Sequence, residues 1–215
     1  MELVTVGALI GILAAFAGPS FLGWRSMVRV KGSAREITSL LRLARSRSLE
    51  AGTREVVVFY KGDPTISSDD RVAVFSDWPV GFNVTGLSTD QLDGKVAPPT
   101  GVTFITAANA SDITRKTTEI GFGPGVARTF PYPYNTVSIS SSCSFCSASW
   151  GAVFFEGDGK TIRLSNGSSA LAASTFFGAV TVSPIGEWAT GPKNYYTVIL
   201  NTVTGAASVW NSSDK

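Results

Sequence analysis

Cys143 and Cys146 form a single Cys-x-x-Cys and are the only cysteines in the chain. Several chemistries use that spacing, and the neighbouring residues sort them. Ser147 follows the second cysteine, which excludes c-type haem attachment. A zinc site needs two further Cys or His ligands, and the chain has no histidine. A thioredoxin-like pair belongs at a helix N-terminus after a strand, whereas this one lies in the serine-rich run SISSSCSFCSASW between β-like segments. The reading is a small loop-closing disulfide, which implies an oxidising compartment.

The lack of histidine also removes the commonest general base. No serine–lysine or carboxylate spacing marks a catalytic constellation, so the expectation is a protein that is not an enzyme and holds no metal or cofactor. Gly121 to Gly125 (GFGPG) is rich in glycine but lacks the lysine and the following helix of a phosphate loop. The segment Gly123–Asn135, GPGVARTFPYPYN, reads either as the cover of a sheet edge or as a ligand-binding rim.

Glu2 is the remaining residue with chemistry to explain. From Leu3 to Trp24 no residue is charged, a run of roughly 22 residues or about 33 Å of helix, enough for a bilayer core. A carboxylate at the edge of such a helix is costly in lipid unless it is neutral, snorkelled or paired. Two readings stand. Glu2 sits idle at the headgroup boundary, or it pairs with a positive group on a neighbouring subunit. A cleaved signal peptide has a basic front and a shorter apolar core, and this stretch has no basic front.

The elements that carry these residues follow from periodicity. Residues 1–24 are an apolar membrane or assembly helix. Gly7 and Gly11 form a small-xxx-small pair that lets helices approach closely. Gly18-Pro19 should kink or open the helix, because proline removes a backbone donor and clashes with the preceding turn. Residues 25–52 are an amphipathic helix. Ala34, Ile37, Leu41, Ala44 and Ser48 recur at three- and four-residue spacing with Leu40 beside them, and Gly52 is a C-cap signal.

Between Arg25 and Arg54 lie Arg25, Arg29, Lys31, Arg35, Arg42, Arg45, Arg47 and Arg54 against Glu36 and Glu50. By the positive-inside rule that basic flank is cytoplasmic. Arg25, Arg29 and Lys31 are candidate polyanion contacts, DNA among them, although this is not the favoured reading.

Residues 53–215 read as a β-rich globular head. Strands are expected at Glu55–Tyr60, Arg71–Ser76, Gly81–Thr85, Val102–Thr106, Thr117–Phe122, Thr136–Ser140 and Ala152–Glu156. Four more are expected at Lys160–Leu164, Gly178–Ser183, Tyr195–Leu200 and Ala206–Trp210. Asp158-Gly159 and Thr204-Gly205 are hairpin turn signals. The expected fold class is α+β: a long N-terminal helix, apolar then amphipathic, packed against a head of antiparallel strands. The formal net charge of +2 says little about partners.

Glu2, then Gly11-Ile12-Leu13-Ala14-Ala15, then Pro19, resembles the front of type IV pilins and pseudopilins. The run Leu41-Arg42-Leu43-Ala44-Arg45-Ser46-Arg47-Ser48-Leu49 before EVVVFY is similar to the GspH/FimT-type branch, and Val203-Thr204-Gly205 before a final strand also fits. The family's glutamate is the fifth residue of the mature chain and here it is the second, which implies that three residues are missing in front of Met1. The resemblance implies processing by a prepilin peptidase and methylation of the new N-terminus. It also implies an inner-membrane stage, an assembly platform, and packing of identical subunits into an extracellular pilus or a periplasmic secretion pseudopilus. It puts the basic flank outside, against the positive-inside rule. The implied assembly residues are Glu2, Gly7, Gly11, Gly18 and Pro19.

Overall fold

The computed structural model describes residues 2–62, 70–81, 83–107, 120–123, 130, 134, 142–147, 149–167, 176–190 and 194–211. Within the N-terminal helix it describes the side-chain surroundings of residues 6, 7, 24 and 26–51. That helix, α1, spans Glu2–Ala51. It ends where Gly52 takes φ 66°, a left-handed conformation that glycine adopts without strain, and the Gly52 N–H bonds the Ser48 carbonyl at 3.1 Å.

The strands are β1 (Glu55–Tyr60), β2 (Arg71–Ser76), β3 (Thr103–Ala107), β4 (Ile120–Phe122), β5 (Trp150–Phe155), β6 (Ile162–Ser165), β7 (Phe177–Pro184), β8 (Tyr196–Asn201) and β9 (Ala207–Asn211). They form a five-stranded sheet in the order β3-β2-β1-β5-β6 and a four-stranded sheet in the order β4-β7-β8-β9. Every pairing is antiparallel. Asp158-Gly159 turns β5 into β6, with the Asp158 carboxylate accepting from the Lys160 and Thr161 amides. Gly205, at φ 68°, turns β8 into β9.

The main core lies where α1 crosses both sheets. Val30, Ala34, Ile37, Leu41 and Ala44 of the helix meet Val57, Phe59, Val74, Val153 and Phe155 of the first sheet and Val180, Val182, Val198 and Leu200 of the second. Burying side chains such as Ile37 and Phe59 is worth roughly 1.5–3 kcal/mol each. The far face of the first sheet is also covered, since Val56, Val58, Phe75 and Ala152 pack under Trp78, Val84, Leu87 and Leu92. β1 therefore buries both faces, and it reads as a continuous apolar run instead of an alternation. On the outer face of the second sheet, Phe130 packs with Ala179 and Ile199, and Tyr134 packs beside Phe177 and Trp210.

The expected α+β class, a long helix packed along a head, is corrected by this arrangement. The fold is mainly β, two antiparallel sheets with about 26 residues of α1 laid on them. The apolar face at i, i+3, i+4, i+7 runs from Val30 to Ser48 and all its members are buried. Towards the N-terminus that face gives out, and Trp24, Met27 and Val28 are exposed. Among the described residues of α1, the stripe that the sheets cover is the one from Val30 to Ser48.

Three local expectations are also corrected. Gly81–Thr85 is not a strand, because Gly81 takes φ 84° and the Asn83 side chain accepts the Thr85 amide to start a 3-10 turn at Val84–Gly86. The stretch between the expected strands at Gly81–Thr85 and Val102–Thr106, read as without regular structure, contains a short helix, α2 (Thr89–Leu92), closed by a reciprocal Ser88–Gln91 capping box. Of the two outcomes expected at Gly18-Pro19, a kink or an opening, the opening is corrected, because the helix continues through both residues. Proline deletes one donor, and one lost bond leaves the rest of the ladder intact. The expected strand at Thr136–Ser140 and the front of the one at Thr117–Phe122 lie outside the described residues.

Candidate assembly surface

Among the described residues, the elements bring sequence-predicted residues together at the two cysteines. Cys143 and Cys146 are joined as a disulfide, with Cα atoms 5.4 Å apart. Cys143 makes an isolated bridge to Val180 of β7, and its neighbour Ser144 donates its amide to the Ala179 carbonyl at 2.8 Å. The Ser144 hydroxyl accepts the Ala179 amide at 2.9 Å. The Ser147 amide bonds the Trp150 carbonyl at the start of β5. The four-residue loop thus staples the second sheet to the first. Gly151 allows the close approach, since a Cβ there would stand 2.3 Å from the Cys146 sulfur.

The assembly residues are distributed differently. Gly7 is exposed, with open space where a Cβ would stand. Val6 is 53% exposed and Trp24 61%. These described positions at both ends of the apolar run are therefore exposed. The surroundings of Glu2, Gly11, Gly18 and Pro19 lie outside the described residues, as does the side chain of Arg25. Arg29 and Lys31 are exposed. Among the described residues no helix is long and apolar enough to cross a membrane.

Sequence reasoning missed two features. The first is Asp70, which lies outside every expected strand but is fully buried. Its carboxylate accepts the Gly62 amide at 2.9 Å and the Phe122 amide at 2.5 Å. Burial pushes its pKa up to about 6, against the opposing pull of those two hydrogen bonds and of the Lys61 and Arg71 charges. The second is a trough between α1 and β9, lined on the helix side by Lys31, Arg35 and Arg42. Arginines were legible on that helix, but nothing local in a sequence says which strand will lie beside them.

Among the described residues no group of three His, Cys, Asp or Glu side chains is arranged to hold a metal ion. Comparison with family models, with curated proteins and with solved structures finds no match to this chain.

Proposed function

We propose that the chain is a structural subunit of a type IV pilus-like filament, assembled with copies of itself through the N-terminal half of α1. The observation that carries the reading is the division of that helix. One face of its second half is buried against two sheets from Val30 to Ser48, while Val6 and Trp24 before it, and Met27 and Val28 at its start, are exposed. An uncharged apolar helix with exposed positions such as Val6 is a poor monomer in water. It is satisfied by lipid and then by a bundle of identical helices, where Glu2 pairs with the amino terminus of an adjacent subunit. The sheets, closed by the Cys143–Cys146 disulfide, coat the fibre.

The test is to shear surface fibres from the source cells and identify their subunits by mass spectrometry. The reading expects this chain as a stoichiometric component. Fibres that lack it, or its recovery only as a dispersed membrane protein, would count against it.

A further inference from the structure

A hollow of about 290 Å³ lies between the two sheets, beside the Cys143–Cys146 loop. Its place follows from how two stretches of chain share one edge of β7. β4 takes the later part of that edge and ends with Phe122 opposite Val182. The Gly123 amide then bonds the Thr181 carbonyl, and the Thr181 amide bonds the Ser142 carbonyl. Cys143 follows opposite Val180. The chain thus leaves the edge after Gly123 and returns to it at Ser142, and Phe122, Cys143 and Val180 all line the hollow. From the other sheet come Phe59 of β1 and Lys61. They are two residues apart in extended chain and so share the face that looks between the sheets.

The hollow has an apolar floor and a polar mouth. Phe59, Phe122, Val180 and Cys143 are buried, whereas Lys61 and Cys146 are half-buried and Ser147 is exposed. The floor is held firmly, because the Phe59 ring packs on Phe122 and, edge-on, on Phe145. Lys61 is fixed at the mouth by its main chain, whose amide donates to the Ser149 carbonyl at 2.7 Å. Its ammonium takes part in none of the ion pairs among the described residues. Asp70 feels the Lys61 charge, but its two oxygens accept the Gly62 and Phe122 amides and it does not line the hollow. One cation therefore stands beside a cavity of carbon and sulfur.

We propose that this hollow binds a small free carboxylic acid with an aromatic or branched apolar body, the body on the floor and the carboxylate at Lys61. An apolar lining with one convergent charged group is the usual make-up of a small-molecule site. The size fits a molecule and not a length of chain. A dry cavity of about 150 Å³ holds benzene, so one of nearly twice that volume holds roughly twelve non-hydrogen atoms. The sign of the ligand's charge follows from Lys61, since a carboxylate there gains a charge-assisted hydrogen bond at the edge of an apolar cavity, where it is stronger than in water. A wholly apolar ligand would forgo that bond. A small hydrophilic anion would leave the floor unfilled. The proposal goes beyond the filament reading and holds whether or not the chain assembles.

The experiment uses the full chain in detergent at neutral pH, with free probe concentrations measured by dialysis. The probes are hydrocinnamate, which is close to the expected size, its neutral amide, and acetate. Methyl NMR titrations should show hydrocinnamate shifting the Val180 methyl signals, with saturation, while the Val209 methyls beside the helix stay unmoved. The amide should bind at least tenfold more weakly, acetate should give no shift at Val180, and Lys61→Met should weaken hydrocinnamate at least tenfold, the loss of one charge-assisted hydrogen bond. Absence of a saturable shift at Val180 would overturn the proposal. Equal binding of the amide, or wild-type affinity in Lys61→Met, would overturn it too, because the carboxylate would then not be met by Lys61. The amide is read on the unaltered protein, so that arm decides even if the variant misfolds.

Discussion

Asp70 accepts the Phe122 amide at 2.5 Å and the Gly62 amide at 2.9 Å, so one buried carboxylate ties the end of β1 to β4 in the other sheet. Its pKa stands at about 6 against an ordinary 3.8. The native state therefore holds a proton on this group through a window in which the unfolded chain has released it. By linkage, stability falls as pH rises from about 4 to about 6, by roughly 3 kcal/mol for this group alone. Denaturant unfolding of the wild type and of Asp70→Asn across that range should show the wild type losing ground to the variant as pH rises. A difference that is flat, or that grows in favour of the wild type, would contradict this assignment.

The Cys143–Cys146 bridge closes a very short loop. A loop of that length restrains the unfolded chain by only about 2 kcal/mol. Cys143→Ser with Cys146→Ser should therefore leave a folded head that unfolds at lower denaturant, and reduction of the wild type should reproduce the shift. Mass spectrometry of native material under non-reducing conditions should find no free thiol. Loss of the fold in the double variant would show that the bridge does more than restrain the loop.

Gly157 lies at the turn from β5 to β6, and a Cβ there would stand 2.2 Å from the Gly52 carbonyl oxygen. Backbone at the end of α1 cannot move aside as a flexible side chain could. Gly157→Ala should destabilise by about 1–3 kcal/mol through this clash. Gly186→Ala serves as the control, because nothing lies within 4 Å of the added atom. Thermal melts of the two variants should separate clearly, and equal melting temperatures would mean that the helix end and the turn are not in contact.

Glu2 carries the one charge of the apolar run. Glu2→Gln keeps size and polarity and removes the charge. In cells without the wild-type subunit, the variant should insert in the membrane and fold its head normally while giving few fibres. Wild-type fibre yield would show that the charge is dispensable.

The strands were legible because their residues are β-branched and bounded by glycine turns. Glu55–Tyr60 and Arg71–Ser76 coincide with β1 and β2, and the two hairpins turn at Asp158-Gly159 and Thr204-Gly205. The capping of α2 was present in the letters Ser88 and Gln91 and went unread among loop residues. Gly81 misled, since a run of β-formers behind it masks the positive φ that breaks the strand. The extent of helix packing was not legible, because length and apolarity look alike whether a helix meets its own sheets, lipid or a copy. Asp70 and the trough beside β9 depend on contacts between residues far apart in the chain, such as Asp70 with Phe122 and Arg42 with Ala207.

If the first half of α1 is an assembly element, it packs against copies of itself in the fibre. A helical reconstruction of sheared fibres by electron cryomicroscopy tests it most directly. Leu3 to Trp24 should lie around the fibre axis against the same segment of neighbouring subunits, with the two sheets outside and Glu2 within reach of an adjacent amino terminus. Fibres held together by contacts between the sheets, with this segment on the outside or in lipid, would contradict it.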